Sequence, residues 1–397
     1  MRNFEPTMQA ALARLAEVRP DDYARTRNAL DGAVTRLSPY ITHGLLSLRD
    51  VYSAVHARQP LDARHKFVFE LGWRAYWRHV WQHKGDAIHH ALHTGLLPDD
   101  AYQTVLPADV LEARTGIPAI DQAVRELYAT GYLHNHARMW VASYLVHLRK
   151  VHWHAGAQWM LGHLLDGDVA SNHLSWQWVA GSGSGKPYLF NADNVARYAP
   201  ALWHSPGTAI DTSYEALDMC ARSPAAVNHG IDTRHPPAAT PQPDLEDRPP
   251  GAAWSRPARS LVAGRHVWLI HPWSLGSAPP ETAEECLRIG VGFAECHART
   301  PWSERRWRFV REGLQARTSV LWWGSAQQVA GALQGALSVG WQADPHAAAA
   351  LDTLQAHVSA APSPPTVTAH LQACMFEPVP SYCQSFSKWW RHTRIAA

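Results

Sequence analysis

Apolar residues recur at spacings of three and four along most of residues 1–205, a pattern typical of amphipathic helices. The clearest example runs from Gly131 to about His152, where one apolar stripe is predicted to pack inward. The residues of this stripe are Leu133, Ala137, Trp140, Tyr144, Leu145 and Leu148. The segment HKFVFELGWRAYWRHVWQH shows a comparable helical spacing. The pattern predicts an all-helical domain over residues 1–205.

The pattern changes in the second half of the chain. Proline is dense between residues 236 and 257, which predicts an extended linker at 206–260. Beyond it, HVWLIHPWSL indicates a short strand, WSERRWRFVREGLQA a helix, and TSVLWWGSAQQVAGAL a strand followed by a helix. This order predicts a smaller α/β domain of Rossmann-like type at 261–397, without a G-x-G-x-x-G fingerprint. The predicted fold class is therefore mostly α, with the helical domain first.

Charged and amide side chains interrupt the apolar pattern in the middle of the helical region. Asn135, Arg138 and Met139 lie within one helical turn and can address a common pocket. Asp166 and Asp168 flank a glycine in the segment LLDGD, where glycine permits a tight turn. An unpaired buried charge costs several kcal/mol. We therefore expect Arg138 to pair with one of these carboxylates.

The composition limits the classes of protein that fit. The 397 residues include 36 Lys and Arg against 34 Asp and Glu, a formal net charge of +2, so a nucleic-acid-binding surface must be a local patch. The 19 tryptophans favour stacking surfaces. Five widely spaced cysteines argue against a disulfide framework and predict a reduced, cytoplasmic protein. No signal peptide is recognisable and no apolar run approaches ~18 residues, so no membrane span is expected.

Taken together, these motifs resemble the flavin-binding domain of the DNA photolyases and cryptochromes. The family pattern runs approximately G-x-x-H-N-x-x-R-M, then I-D-W, then L-x-D-G-D-x-A-x-N, then W-Q-W. This sequence supplies, in the same order, Gly131, His134, Asn135, Arg138, Met139, His152, Trp153, Asp166, Gly167, Asp168, Ala170, Asn172, Trp176, Gln177 and Trp178. The resemblance covers roughly residues 23–200 and implies an all-helical domain that binds FAD.

The resemblance implies roles for one set of residues in holding the cofactor. The segment TRLSPY is similar to the family's S-R-L-S-P-Y segment, which holds the flavin diphosphate. The two aspartates of LLDGD would fix the flavin ring and ribityl chain, and the asparagine after them would face flavin N5. The implied cofactor-binding residues are Tyr23, Thr35, Arg36, Leu37, Ser38, Arg74, Asn135, Arg138, Asp166, Asp168 and Asn172.

A second set is implied to act on the substrate. Residues 67–77 resemble the family helix F-x-x-E-L-x-W-R-E-F-Y, in which Glu hydrogen-bonds damaged bases and Trp stacks on them. The implied catalytic residues are Glu70, Trp73, Asn135, Met139, Trp176 and Trp153, the last two matching inner members of a three-tryptophan electron relay. The implied function is light-driven repair of cyclobutane pyrimidine dimers, with damaged DNA as the partner. Without the resemblance, Glu70 and Arg74 could simply form an ion pair four residues apart.

The sequence also departs from the family pattern. Val110 stands where the outermost relay tryptophan is expected, so the relay is either truncated or leaves by another aromatic residue. His136 replaces an arginine that meets a DNA phosphate, and histidine is the weaker cation at neutral pH. The clustered His89, His90 and His93 favour a surface patch over a metal site.

The C-terminal region resembles the antenna domain of the family, which precedes the helical domain in photolyases. The resemblance implies that this chain carries the two domains in swapped order. The first strand of that domain, at Val267–Trp268, lacks the D-L-R-x-x-D-N continuation, which argues against an antenna chromophore.

Two other functions stay open. A cryptochrome-like photoreceptor or flavin redox protein without repair activity is supported by Val110, His136 and the small net charge. The retention of Glu70 and Trp73 argues against it, because a signalling flavoprotein needs no pocket for a dimer. A nucleic-acid-binding module without a cofactor would leave Asn172 and the LLDGD pair unexplained.

Overall fold

The computed structural model of the chain describes residues 4–183, 185–227, 238–276 and 286–396. The predicted helical region and the predicted α/β region are both present in these residues. No helix in these ranges has the length and apolarity that crossing a membrane would take.

The helical region is built from helices whose ends carry recognisable start and stop signals. They are α1 (Met8–Ala16), α2 (Pro20–Thr26), α3 (Ser38–Thr42), α4 (Leu48–Arg58), α5 (Lys66–Lys84), α6 (Ala108–Leu111), α7 (Pro118–Thr130), α8 (Asn135–Ser143), α9 (Trp153–His163), α10 (Val169–Ala180), α11 (Ala192–Tyr198) and α12 (Tyr214–Arg222). Helix α5 follows His65, whose side chain accepts a hydrogen bond from the Phe67 amide, and it ends at Gly85 with φ of 53°. Helix α10 follows Asp168, whose carboxylate accepts a hydrogen bond from the Ser171 amide at 2.8 Å. A 3₁₀ turn at Gly85–His89 continues α5.

The C-terminal region contains a five-stranded sheet whose strands all run parallel. Its strands are β2 (His266–Ile270), β3 (Leu287–Phe293), β5 (Leu321–Gly324), β6 (Ser338–Gln342) and β7 (Thr366–His370), in the spatial order β5-β3-β2-β6-β7. The helices around it are α13 (Ala294–Ala298), α14 (Glu304–Gln315), α15 (Ala326–Ala332), α16 (Ala348–Ser359) and α17 (Phe386–His392). The strand order reverses direction at β2, which is the doubly wound arrangement. The Rossmann-like prediction for this region agrees with this topology.

The linker is shorter than the predicted 206–260. Helix α12 lies inside that range, and its Leu217 and Ala221 are buried. The carbonyl of Cys220 accepts a hydrogen bond from Lys150 Nζ at 2.6 Å, which ties α12 to the helical region. Strand β1 (Leu245–Glu246) pairs antiparallel with β4 (Trp302–Ser303). Proline density indicated the extended backbone but carried no information about the elements on either side of it. Residues 228–237 of the predicted linker lie outside the described residues.

The two regions share one hydrophobic core. Tyr40 and Val68 of the helical region belong to the same buried cluster as Leu269 and Phe309 of the C-terminal region. The fully buried His43 joins both regions, because one ring nitrogen lies 2.6 Å from the Pro272 carbonyl oxygen and the other 2.8 Å from that of Leu165. Burial lowers the pKa of His43 to about 3, so the ring is neutral.

Aromatic packing fills the place where doubly wound sheets usually bind ligands, beside the carboxyl ends of the strands at the reversal point. The Trp273 ring follows β2 and stacks on His346 at 5.0 Å with an interplanar angle of 3°. It also lies parallel to His297 at 5.9 Å. The amide of Leu275 donates to the His43 carbonyl at 2.8 Å. The reversal point of the sheet is therefore part of the contact between the two regions.

Candidate functional site

A cavity of about 650 Å³ opens in the helical region, a size within the usual range for small-molecule sites. It is lined by most of the residues that the sequence predicted. These are Tyr23, Thr35, Arg36, Ser38, Glu70, Trp73, Arg74, Asn135, Arg138, Met139, Asp166, Asp168, Asn172 and Trp176. Of the predicted set, Leu37 and Trp153 do not line this cavity. Leu37 is 1% exposed and packs in the core, where its backbone amide joins the turn before α3.

Asp166 connects the LLDGD turn to two other elements of the cavity wall. Arg138 Nη2 on α8 donates to both of its carboxylate oxygens, at 3.0 and 2.8 Å. Ser38 Oγ at the start of α3 donates to Oδ2 at 2.5 Å. The expected pairing of Arg138 with an LLDGD carboxylate is thus confirmed. The backbone of Arg36 adopts a φ of 52°, a conformation uncommon outside glycine, which turns the preceding loop toward α3.

Asp168 is 1% exposed and lies among positive charges that the sequence analysis did not connect. Arg78 Nη2 approaches it at 2.6 Å and Arg74 Nη2 at 3.5 Å, both from α5. His346 Nε2, from the C-terminal region, lies 3.7 Å away. Burial alone would raise the pKa of Asp168, but Arg78 and Arg74 outweigh it and hold the pKa well below its usual value. This carboxylate is therefore ionised at neutral pH.

Glu70 has partners other than the one expected for it. Its carboxylate contacts Lys66 Nζ at 2.9 Å and Arg27 Nε at 3.3 Å. Arg74 instead donates to Thr42 Oγ1 at 2.8 Å. The simple Glu70–Arg74 pair is therefore wrong, because Glu70 pairs with the residue one turn earlier on α5 and Arg74 faces Thr42 and Asp168. Nothing in the sequence identified Arg27, on the loop after α2, as a partner of Glu70.

Aromatic side chains form another part of the cavity wall. Trp73 stacks on Phe386 of α17 with ring centroids 4.1 Å apart and an interplanar angle of 14°. Trp176 on α10 is 3% exposed and packs over Gly156 of α9. A Cβ atom added at Gly156 would lie 2.4 Å from two ring carbons of Trp176. The position of Trp176 therefore depends on the absence of a side chain at residue 156.

We expect Gly156→Ala to lower the free energy of unfolding by about 1–3 kcal/mol, because Trp176 must move in a packed core. Gly331→Ala is the matched control in another helix, since an added Cβ there meets nothing within 4 Å. Alanine has the better helix propensity by about 0.5–1 kcal/mol, so this control should be neutral or stabilising. Urea unfolding curves measure both. Equal stability of the two variants would contradict the contact.

Trp153 lies outside the main cavity. It borders a small cavity together with His152 and Tyr102. The His152 ring lies 5.8 Å from Trp153 and 6.2 Å from Tyr102, measured between centroids. Val110, at the position of the missing outer tryptophan, is fully buried and packs in the core. Tyr102 is thus an aromatic residue that borders the same small cavity as Trp153.

The remaining predicted residues lie on α8 and α10. Asn135 Nδ2 lies 3.5 Å from Met139 Sδ, so the two side chains form one patch of the wall. Asn172 Nδ2 donates to the Ala157 carbonyl at 2.8 Å, which fixes the amide on α10. His136 Nδ1 donates to the Asn28 carbonyl, 2.7 Å away, and burial lowers the pKa of His136.

The lining fits a dinucleotide cofactor in its chemistry. Arg36, Arg74 and Arg138 supply positive charge for phosphates or an anionic ring. Ser171 Oγ is a buried polar atom of the wall that has no protein partner. Buried polar groups in native proteins are nearly always hydrogen-bonded, so this hydroxyl is available to a ligand. Ser171 was missed in the sequence analysis because a serine one position before Asn172 is indistinguishable from a surface residue.

Comparison with known proteins agrees with this chemistry. Residues 67–214 match the family model described as the FAD binding domain of DNA photolyase. A deoxyribodipyrimidine photo-lyase of Synechococcus sp. is 34% identical over 264 residues, 57% of this chain and 52% of that protein. A cryptochrome DASH of Synechocystis sp. is 34% identical over 263 residues, 59% of this chain and 53% of that protein. A deoxyribodipyrimidine photo-lyase of Thermus thermophilus is 38% identical over 198 residues, 47% of this chain and 45% of that protein.

The chain spans about half the length of the curated relatives it matches. The match to the family model includes α5, α8 and the LLDGD turn, which supply most of the cavity wall. Relatives of similar identity carry both photo-lyase and cryptochrome names. Over residues 67–214, the chain is therefore similar to the FAD-binding domain of the photolyases and cryptochromes.

Proposed function

We propose that this chain is a deoxyribodipyrimidine photo-lyase, which repairs cyclobutane pyrimidine dimers in DNA by light-driven electron transfer from FAD. The observation that carries the proposal is the shared cavity. Ten of the eleven residues implied to hold the flavin and five of the six implied catalytic residues line the same space. An electron donor and its acceptor need this proximity.

The charged residues of the cavity are proposed to hold and orient the cofactor. Reduced FAD, when excited by light, supplies the electron for dimer splitting. The Asp166–Arg138 pair fixes the turn before α10, and Asp168 is held by Arg78 and Arg74. Asn172 is held by the Ala157 carbonyl and presents its side chain to the cavity.

The other wall is proposed to receive a dimer flipped out of the DNA stack. Trp73 is backed by Phe386, so its ring is a fixed surface for a base to stack on. Glu70 is held between Lys66 and Arg27 and can accept hydrogen bonds from the bases. Asn135 and Met139 supply an amide and a thioether on the facing helix.

Electrons for photoreduction of the flavin are proposed to pass through Trp176 and Trp153. With valine at position 110, Tyr102 is the aromatic side chain proposed to replace the outer tryptophan. We also propose that the chain is mostly α with the family's two domains in swapped order, and that no antenna chromophore binds. The stacking of Trp273 on His346 at the reversal point of the sheet supports the last of these proposals.

A photoreceptor or flavin redox protein without repair activity is the second candidate. His136 favours it, because its ring stacks on Trp140 at 5.1 Å and burial lowers its pKa. A neutral histidine does not supply the cation that a DNA phosphate needs. Such a protein would keep the flavin contacts and lack the dimer chemistry.

The deciding experiment uses purified protein, photoreduced under blue light and incubated with oligonucleotides that carry one thymine dimer. Single-stranded and double-stranded substrates are compared in light and in the dark. Flavin absorption with light-dependent loss of the dimer is the expected result. Flavin without dimer loss on either substrate would favour the second candidate, and a colourless protein would contradict both.

We expect Glu70→Gln to reduce repair per absorbed photon by about tenfold, the effect of one lost charge-assisted hydrogen bond. Flavin content should stay unchanged, because Glu70 contacts Lys66 and Arg27 and not the LLDGD turn. Glu312→Gln on the exposed side of α14 is the control. Loss of flavin from Glu70→Gln, or full repair by it, would contradict the role.

A further inference from the structure

Three histidines from separate segments of the helical region lie close to one another. His89 ends the 3₁₀ turn after α5, His154 lies in the first turn of α9, and His173 lies on α10. One ring nitrogen of each lies within 4.8 Å of those of the other two. The centroids are 5.0 Å apart for His89 and His173, 5.6 Å for His154 and His173, and 6.2 Å for His89 and His154.

His173 is the most constrained of the three. Its side chain is fully buried, and Nδ1 lies 3.2 Å from the Val169 carbonyl oxygen one turn earlier. Its Nε2 is buried without a hydrogen-bond partner. A metal-binding histidine commonly donates its other ring N–H to a backbone carbonyl, which leaves the opposite nitrogen free to bind the ion. The arrangement of His173 has this form.

The ring nitrogens of the three histidines do not satisfy one another by hydrogen bonding. No hydrogen bond among the described residues joins two of the three rings. Burial lowers the pKa of each of them, that of His173 to about 3, so the rings are neutral. Asp86 and Arg299 act on His89 with opposite signs of charge. Gln158 Nε2 lies 3.4 Å from His154 Nε2, a long contact that a metal ion bound at this nitrogen would replace. Neutral imidazole nitrogens are suitable ligands for a borderline-soft cation.

We propose that His89, His154 and His173 bind one Zn²⁺ ion per chain, with the fourth coordination position left to water. Zinc is favoured over magnesium or calcium because the three ligands are nitrogen and not oxygen. Nitrogens bound to one zinc at about 2.1 Å are about 3.4 Å apart in tetrahedral geometry. The two half-buried side chains, His89 and His154, need only small rotations to reach that spacing.

The predicted surface patch of His89, His90 and His93 is therefore only partly right. His90 and His93 are exposed, whereas His89 turns toward α9 and α10. The ligands that complete the site are 65 and 84 residues further along the chain, so neighbouring positions in the sequence gave the wrong grouping.

Bound zinc would also affect Trp153. The ring lies edge-on to His154 at 5.4 Å and to His173 at 6.1 Å. A nearby dication opposes the positive charge that Trp153 gains when it gives up an electron. Photoreduction of the flavin should therefore be slower with zinc than after chelation. This consequence rests on the proposed relay role of Trp153, whereas zinc binding does not.

The test is a zinc titration of the full chain, stripped of metal by dialysis against a chelator, with a chromogenic indicator competing for Zn²⁺. We expect one tight site in the wild type. His89→Ala and His154→Ala should weaken it by at least about tenfold, since each removes one of three ligands. His357→Ala is the matched control, because its Nδ1 contacts the carbonyl one turn earlier, as in His173, but the residue is exposed on α16.

Circular dichroism establishes that each variant is folded before titration. Unchanged zinc affinity in folded His89→Ala and His154→Ala would overturn the site, as would a wild type that binds no more tightly than these variants. Photoreduction with and without zinc is then recorded separately. If zinc binds at the three histidines and photoreduction is unaffected, the relay role of Trp153 is contradicted and the metal site is retained.

Discussion

Asp168→Asn is expected to lower the free energy of unfolding by about 3 kcal/mol, near the lower end of the range for breaking a buried ion pair. Asparagine keeps the shape and can still cap α10. It removes the negative charge, however, and leaves the buried guanidinium groups of Arg78 and Arg74 facing a neutral amide. Arg78 retains a contact with Asp344 at 3.3 Å, which limits the loss.

Denaturant unfolding of wild type and variant at neutral pH measures this effect. Asp218→Asn is the control, because its partner Arg222 is exposed and an exposed pair contributes little. A double-mutant cycle with Arg78→Met isolates the pair. If Asp168→Asn lowers the free energy of unfolding no more than the control does, solvent reaches the ion pairs of Asp168 with Arg78 and Arg74.

The effect of Asp168 has a defined pH dependence. Its pKa in the folded protein is lower than the usual value of about 4 in the unfolded chain. The carboxylate therefore contributes stability above about pH 4, and this contribution is lost as the pH falls below that value. The difference between wild type and Asp168→Asn should become smaller on acidification.

Arg306→Met is expected to reduce both FAD content and stability. Arg306 is 1% exposed on α14, yet it donates to two carbonyls of the helical region, Leu161 at 2.8 Å and Gly167 at 2.7 Å. Gly167 lies between the two aspartates of the LLDGD turn. Methionine fills a similar volume but leaves both carbonyls unpaired, at a cost of about 1–3 kcal/mol each. Removal of the buried charge recovers part of this cost, so we expect a net loss of about 2 kcal/mol.

Flavin absorbance per chain, after purification and dialysis, reports on the turn. Arg308→Met on the exposed side of α14 is the matched control. We expect the FAD content of Arg306→Met to fall several-fold, because Asp166 and Asp168 flank the unsupported carbonyl. Normal flavin content together with reduced stability would mean that Arg306 supports the fold and not the site.

Local sequence motifs predicted the residues that line the cavity better than the residues that hold them in place. Helical spacing placed Asn135 and Arg138 on one face of α8, and the resemblance to the photolyase flavin domain added Asp166 and Asn172 to the same site. His346 acts on Asp168 from 178 residues away, and no local pattern connects them. The cofactor cavity was therefore visible in the sequence and its contacts with the C-terminal region were not.

The sequence also predicted some strands of the sheet and missed another. Strands β2 and β5 are short apolar runs and were predicted, whereas β3 was missed. Its sequence LRIGVGF contains Gly290 and Gly292, which weaken a strand pattern. Added Cβ atoms at these positions would lie 2.5 Å from Leu321 and 2.7 Å from Trp323. The glycines are present because neighbouring side chains fill their space, and this reason appears only after the sheet has formed.

The hydrogen bond from Arg306 to the LLDGD turn affects when the protein can bind its cofactor during translation. A ribosome adds roughly 5–20 residues per second, so Gly167 leaves the exit tunnel about 7 to 28 seconds before Arg306. Phe386, which backs Trp73, follows later still. During that interval the nascent helical half lacks both supports. Flavin capture is thus expected to follow translation of α14, and ribosome-bound chains stalled before that helix should retain little cofactor.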